Sequence, residues 1–582
     1  MQAYEVVRSA ERLAAIAQEI DDASAVGLDI ETTSKSPLDG DIRLVQLNTG
    51  KGIYVIDLFE TKTLGPVVDA LRSDKCVKII QNAKFEQRWF LHKYQTVLWP
   101  VFDTFRASWM LTNGQKLGHN LHDLFQRELR ILPEAPDMQM AGWSGVLEKE
   151  HYDYAAEDVF HLLDLRAVLK AKVAKEGLNR ACLLEFGAIL GEAEIENNGF
   201  RLDADRWSAI AQKKAERLEE LQAELDSLLP HPKGQISLPG ISAGFNMRSP
   251  PQVMASFKRL GVKMEDTRAE TFAMMATKHP AIPKFMEYRK VAKALDAFGE
   301  EYLQHIHPET GRIHTDFWPL TGAGRYSSRE PNLQQIPRGA DYRSCFSPGP
   351  GKKIVVCDYS QIELRIVAQI TRDPTLMKIY LDNEDAHRKT ASIVSHVSLA
   401  NVTKKQRQAA KAVNFGLIYG LGAERLVIYS MANYGVPISL AEAKTFIKRY
   451  FEGYAGVRRW HDRAIRDFER HPVVRTLSGR LRYMEEKAHG EVFNTPVQGT
   501  GADGLKSSLP LVYHALSKYS GRARMVHMVH DEIVTEVDDD PELIDAVKKD
   551  VAEAMVSGIQ PFLPDVPVVV EPDVGDSWAA HG

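Results

Sequence analysis

The chain has 582 residues, which at roughly 100 to 200 residues per domain implies several domains and excludes a single compact core. A hydrophobic content of 44% and a charged content of 26% are those of ordinary globular proteins, which excludes disordered, collagenous and disulfide-scaffold classes. Lysine plus arginine number 73 against 78 acids, a net charge of −5, so a nucleic-acid partner would be held by local basic patches and not by the overall field.

The first twenty residues interleave charged and apolar side chains, unlike a signal peptide, and no apolar run reaches membrane-spanning length, so a cytoplasmic protein with no membrane association is expected. Cys76, Cys182, Cys345 and Cys357 are far apart and form no CxxC pair, which predicts buried free thiols. To about residue 180, strand-like runs at Ala25 to Asp29, Ile42 to Leu47, Ile53 to Leu58 and Val77 to Gln81 alternate with helical stretches, the pattern of a mixed α/β domain. The apolar run AVGL ends at Asp29, and Glu31 follows two residues later, so a continuing strand places both carboxylates on one face. Glu86 sits where a strand gives way to a helix. Tyr154 and Asp158 are four apart and share a helical face.

Trp207, Ile210, Leu218, Leu221, Leu225 and Leu228 form one apolar stripe of a long helix. The segment from Pro230 to Pro251, with five prolines and three glycines, predicts a loop joining two long helices into an arm. Ile354 to Cys357 predicts a buried strand ending at Asp358, followed by a helix through Ile362, Ile366 and Ile370. Arg407, Lys411, Phe415 and Tyr419 follow a four-residue spacing, which on a helix gives a stripe able to hold phosphates and stack on a base or sugar. In RMVHMVHDEIVTEV, two apolar runs meet at His530, Asp531 and Glu532, which predicts a β-hairpin with acids at its turn.

Taken in order, Asp29, Glu31, Glu86 and the Tyr154/Asp158 pair resemble the tyrosine subclass of the DEDD 3′→5′ exonucleases. DYSQIELR, RxxxKxxxFGxxYG and VHDE, with GRYSS at 324–328 and NTPVQGT at 494–500, resemble family A DNA polymerases, of the bacterial large-fragment or phage replicative type. The resemblance implies a multidomain α/β fold: an RNase H-like exonuclease domain at 1–183 and a right-hand polymerase. The thumb is expected at 184–315, palm at 316–372 and 496–582, and fingers at 373–495, with no room for an N-terminal 5′ nuclease.

It further implies that Asp29, Glu31, Glu86 and Asp158 hold two divalent metals while Tyr154 orients the attacking water. Asp358 and Asp531 become the palm metal ligands, with Glu532 an auxiliary. Arg407, Lys411 and His387 would grip the triphosphate, and Phe415, Tyr419, Gln361 and Glu363 would line the nucleotide site, Glu363 blocking a 2′-hydroxyl. Arg325, Asn494, Gln498 and His530 would meet the DNA. Lys258, Arg259, Arg289, Lys290 and Lys293 of the thumb would contact phosphates. The implied cofactor is Mg²⁺, two ions per active site with Mn²⁺ able to substitute, and the implied partners are primer-template DNA and dNTPs acting on a monomer in a bacterial or phage-infected cell. Two positions depart from the family pattern. Glu86 replaces the usual aspartate, so an impaired exonuclease is the alternative reading, and Gly490 stands where many relatives carry arginine.

Overall fold

The computed structural model describes residues 3–132, 138, 142–230, 246–485 and 489–580. The N-terminal domain is built on a six-stranded sheet of β1 (Glu5–Val7), β2 (Ala25–Thr32), β3 (Ile42–Asn48), β4 (Ile53–Asp57), β5 (Val77–Ile80) and β6 (Val101–Asp103). Their spatial order is β1-β4-β3-β2-β5-β6, with β3 antiparallel to both β2 and β4 and the flanking strands β1, β5 and β6 parallel to their neighbours. β2 runs three residues beyond the expected Asp29 and so includes Glu31. The run expected to Leu58 ends at Asp57, because that carboxylate accepts from the Phe59 amide and starts a short helix at Leu58. β1 and β6, three residues each, are too short to show an alternation of their own.

Helices α1 (Lys84–Tyr94), α2 (Thr104–Thr112) and α3 (Lys149–Phe160) belong to this domain. α4 (Asn179–Asn198) lies between it and the C-terminal part of the chain, and continues across the expected border at 183/184. The helical arm pairs α5 (Ala204–Leu228) with α7 (Ala281–Phe298) around Leu221, Leu225, Phe257, Phe272 and Phe285. Between them the shorter α6 (Pro250–Arg259) begins at Pro250, where a missing N–H costs a helix nothing. The expected loop therefore stops before Pro250, and its residues 231–245 lie outside those described.

The C-terminal sheet is antiparallel and four-stranded, with β7 (Lys352–Tyr359) between β9 (Glu532–Asp538) and β10 (Val570–Gly575), and β8 (Ala523–Val529) outside β9. Between β7 and β8 the chain forms α8 (Ile362–Thr371), α9 (Ala386–Ser395), α10 (Lys404–Ile418), α11 (Ala455–Arg470) and α12 (His489–Ser517). α10 ends at Ile418, so Tyr419 caps the helix and is not part of its stripe. α12 crosses the expected border at 495/496 and contains Pro496 and Pro510. The four cysteines are buried and free. No described helix is long and apolar enough to cross a membrane.

A buried ionic network ties the two halves together along α4. Glu185, Glu192 and Glu196 are fully buried and recur at spacings of seven and four, which puts them on one face. Glu185 meets Lys506 at 2.5 Å and Arg480; Arg106 of α2 meets Glu192 at 2.5 Å; Lys84 of α1 meets Glu196 at 2.7 Å. Arg480 is also held by Asp503 at 2.6 Å, and Tyr326 donates to Glu192 at 2.6 Å. Burial raises the Glu185 carboxyl, but Lys506, Arg480 and Arg106 outweigh it and hold it down at about 2.

Breaking such a buried pair from one side strands the remaining charges. Glu185→Ala is expected to destabilise the protein by about 3–5 kcal/mol, seen as a lowered melting temperature in calorimetry at pH 7. Because the folded carboxyl titrates below its ordinary 4.5, the stabilisation is complete above that value and lost as pH falls through about 2. A Glu185→Ala protein that melts like wild type at pH 7 would contradict the network's role.

Candidate active sites

The first site lies where β2 meets α3. Asp29 and Glu31 are two residues apart on one strand and therefore on one face, and α3 packs across β2 with Asp158 toward them. One ligand oxygen from each of Asp29, Glu31 and Asp158 lies within 4.8 Å of the others. Burial pushes the Asp29 carboxyl up to about 7. Burial, then the charges of Asp29, Asp158 and Glu86, push Glu31 well above its ordinary value.

Glu86 stands in the first turn of α1, 2% exposed, with one oxygen buried and lacking a hydrogen-bond partner. It is not among the three clustered acids, although burial and Asp29 push its carboxyl upward too. Tyr154 lies one helical turn before Asp158 and tilts against Trp143 at 6.3 Å. The candidate ligands that converge here among the described residues are carboxylate oxygens, a donor set that fits a hard divalent cation, and the raised carboxyls of Asp29 and Glu31 are what such an ion would relieve.

The second site lies on the C-terminal sheet. Asp358 is opposite Glu532 in the β7/β9 register, and Asp531 precedes Glu532 in the turn, where its carbonyl accepts from Tyr359 N at 3.3 Å. Burial, then the Glu363 charge, push Asp531 up to about 6 against the opposing pull of Arg325 and Arg338. His530 takes a left-handed backbone, φ 55°, to close this turn, and Gln361 does the same, φ 52°, at the start of α8. Glu532 is turned differently from its neighbours. One of its oxygens accepts from Trp578 Nε1 and the other meets Arg343 at 3.3 Å, so its charge is already neutralised. Arg343 stacks on the Trp578 ring at 4.1 Å.

Glu363 of α8 is gripped by Arg325 at 2.6 Å and by the Tyr419 hydroxyl, which Gln498 also reaches. Asn494 and Gln498 are four apart on α12 and share a face. On α10, Arg407 Nε donates to Asp385 at 2.7 Å, while Lys411 makes no ion pair among the described residues. His387 is buried and its ring lies 5.7 Å from Phe415. Burial, then Lys411 and Arg407 against the pull of Asp385, push it down to about 4. Asn414 Nδ2 donates to its Nδ1 at 2.9 Å, which leaves Nε2 as the proton-bearing nitrogen. His387 is therefore a neutral donor and not a third cation. Gly490 is exposed, with open space where a side chain would stand. Lys258, Arg259, Arg289, Lys290 and Lys293 are exposed on the arm.

Residues 215–580 match the family model of DNA polymerase family A. The chain belongs to that family. Residues 4–174 match the model of a 3′-5′ exonuclease, so this family A DNA polymerase carries an exonuclease domain ahead of its polymerase domain and performs template-directed DNA synthesis. DNA polymerase I of Aquifex aeolicus is 30% identical over 99% of this chain and 99% of its own. DNA polymerase I of Pseudomonas aeruginosa is 29% identical over 99% of this chain, which spans 66% of that protein. The thermostable DNA polymerase I of Thermus aquaticus is 34% identical over 66% of this chain and 46% of its own. Among solved structures, the POL domain of Pol1 from M. smegmatis in complex with DNA primer-template and dNTP superposes with a TM-score of 0.83, at 25% identity, over 99% of both chains.

Arg338, Arg343 and Trp578 face the polymerase site without having been marked by the motifs. Trp578 is fully buried and reaches Glu532 from 46 residues away in sequence. Trp578→Phe deletes its N–H while keeping a ring beneath Arg343. Extension should slow roughly tenfold in kcat, about 1.4 kcal/mol, with the nucleotide KM within about twofold. An unchanged kcat would mean that Glu532 needs no restraint.

Proposed function

We propose that Asp358 and Asp531 form the centre that extends a primer 3′ end with dNTPs on a DNA template, and that Asp29, Glu31 and Asp158 form a separate centre that removes 3′ nucleotides. The observation carrying the reading is the pairing of Asp358, at the end of β7, with an acidic turn, beside Glu363, which the Tyr419 hydroxyl at the end of α10 reaches. The preferred metal is Mg²⁺, with Mn²⁺ able to replace it, because the candidate ligands in both centres are carboxylates. Bound there, two divalent ions supply charge neutralisation for both the attacking and the leaving oxygen of an in-line displacement.

The remaining residues position the substrates. Lys411 and Arg407 hold the triphosphate, Arg407 after leaving Asp385, and His387 donates from Nε2 as a neutral group. Glu363, fixed by Arg325 and Tyr419, excludes a ribose 2′-hydroxyl. Phe415 and Gln361 complete the nucleotide's surroundings. Arg325, Asn494, Gln498 and His530 meet the primer-template, where minor-groove acceptors common to all correct pairs let donors test geometry without reading sequence. In the exonuclease centre Tyr154 orients the water. The enzyme works as a monomer in the cytoplasm, divided as 1–183 exonuclease, 184–315 thumb, 316–372 and 496–582 palm, and 373–495 fingers.

Asp358→Ala or Asp531→Ala should abolish primer extension while changing primer-template affinity less than about threefold, since phosphate contacts supply most DNA affinity. Near-normal extension by either variant would remove the assignment.

The position of Glu86 outside the three clustered acids favours a second reading of the N-terminal centre, an exonuclease weakened by its longer side chain. Single-stranded 3′ ends should be degraded slowly by wild type and at least tenfold faster by Glu86→Asp. Asp29→Ala should degrade none while polymerising normally. Equal rates for wild type and Glu86→Asp would show that the glutamate serves as well as aspartate.

A further inference from the structure

Helix α11 is the most sharply two-faced helix in the fingers. Val457, Trp460, His461 and Phe468 are buried on one side. Arg459, Arg463, Arg466 and Arg470 are exposed on the other. At about 100° per residue, spacings of four, three and four hold the arginines within an arc of about 60°. The helix's acids Asp462, Asp467 and Glu469 fall outside that arc. Arg458, on the helix's flank, is paired with Asp462 at 3.2 Å, but none of the four stripe arginines has an ion pair or hydrogen bond among the described residues.

Helix stability does not account for the stripe. Cations favour a helix only near its C-terminus, and Arg459 sits close to the N-terminus, where no acid occupies the first turn. Asp462 and Asp467 stand four residues from Arg466 and Arg463, yet neither pair forms an ion pair among the described residues, and Asp462 is taken by Arg458. Four aligned guanidinium groups spanning about 16 Å form a row along which the phosphates of one nucleic-acid strand can run. No aromatic residue interrupts the stripe, so it suits backbone contacts and not base stacking.

The buried face says which strand is in reach. His461 Nε2 donates to the Ile418 carbonyl at 3.1 Å, at the end of α10, and its ring stacks on Phe493 at 4.0 Å. Phe493 immediately precedes Asn494. α11 thus backs directly onto the helix ends that carry Tyr419 and Asn494.

We propose that the arginine stripe of α11 binds the phosphate backbone of the single-stranded template ahead of the polymerase site. The proposal rests on the placement of Asn494 and Gln498 at the DNA, and charge complementarity on a chain of net charge −5 identifies the ligand as polyanionic.

The test uses the full chain and compares R459Q/R463Q/R466Q/R470Q with wild type on primer-templates bearing 2- or 14-nucleotide 5′ overhangs, roughly none or all of the stripe's reach. Wild type should bind the long overhang roughly tenfold more tightly at low salt, and the variant should lose that gain. The slope of log K against log salt should fall by up to about 3, at about 0.7 per contacted phosphate. Extension on the short overhang should match wild type, which separates loss of the stripe from misfolding or a misplaced polymerase site. Equal loss on both overhangs, no loss on either, or a loss seen only when the overhang is replaced by duplex would overturn the proposal. R459Q/R470Q should lose about half of the slope change; a full loss or none would contradict independent contacts along the strip.

Discussion

Acids held close together away from water repel, and both chemical centres of this protein are built on that repulsion. Asp29, Glu31 and Asp158 converge within 4.8 Å, and the raised carboxyls of Asp29 and Glu31 record the cost. On the C-terminal sheet the same crowding is relieved in part. Trp578 and Arg343 occupy both oxygens of Glu532, while burial and the Glu363 charge keep the Asp531 carboxyl raised. Such sites fold only if the surrounding structure is stable enough to hold them, which is a cost accepted for function.

That support comes largely from α4. Its buried glutamates are met by cations from the exonuclease domain, Arg106 and Lys84, and from the polymerase domain, Arg480 and Lys506. Desolvating this many charges gives little net stability over apolar packing. What the network does give is direction, since each cation has one carboxylate to meet and the two domains dock in one orientation. The crowded carboxylates and the paired ones thus follow opposite rules within one fold: burial and neighbouring acids push Asp29 and Glu31 up, while the glutamates of α4 are matched by cations and bind the domains together.

The strands, the hairpin at His530 and the helix start at Ile362 were legible because their patterns are local. So was the meeting of Asp29, Glu31 and Asp158, since Asp29 and Glu31 are a close pair whose spacing fixes a common face. The remainder depends on distance along the chain. Nothing near Glu532 signals Trp578 or Arg343, and nothing near α4's glutamates signals their burial, because their cations arrive from four other segments. The neutral state of His387 was equally hidden, because it follows from burial beside Lys411 and Arg407. Tyr419 was placed on the helix by its four-residue spacing, whereas α10 ends one residue earlier and frees the ring to reach Glu363.

The dependence of both centres on divalent ions is tested most directly by the melting temperature in EDTA and across a MgCl₂ titration, for wild type and Asp29→Asn/Asp358→Asn. Neutralising one acid in each cluster removes repulsion and weakens ion binding together. The double variant should melt above wild type in EDTA and gain less from Mg²⁺, while wild type rises steadily as the ions bind the folded state. Identical curves for the two proteins would contradict the claim that crowded carboxylates awaiting cations define this enzyme's two sites.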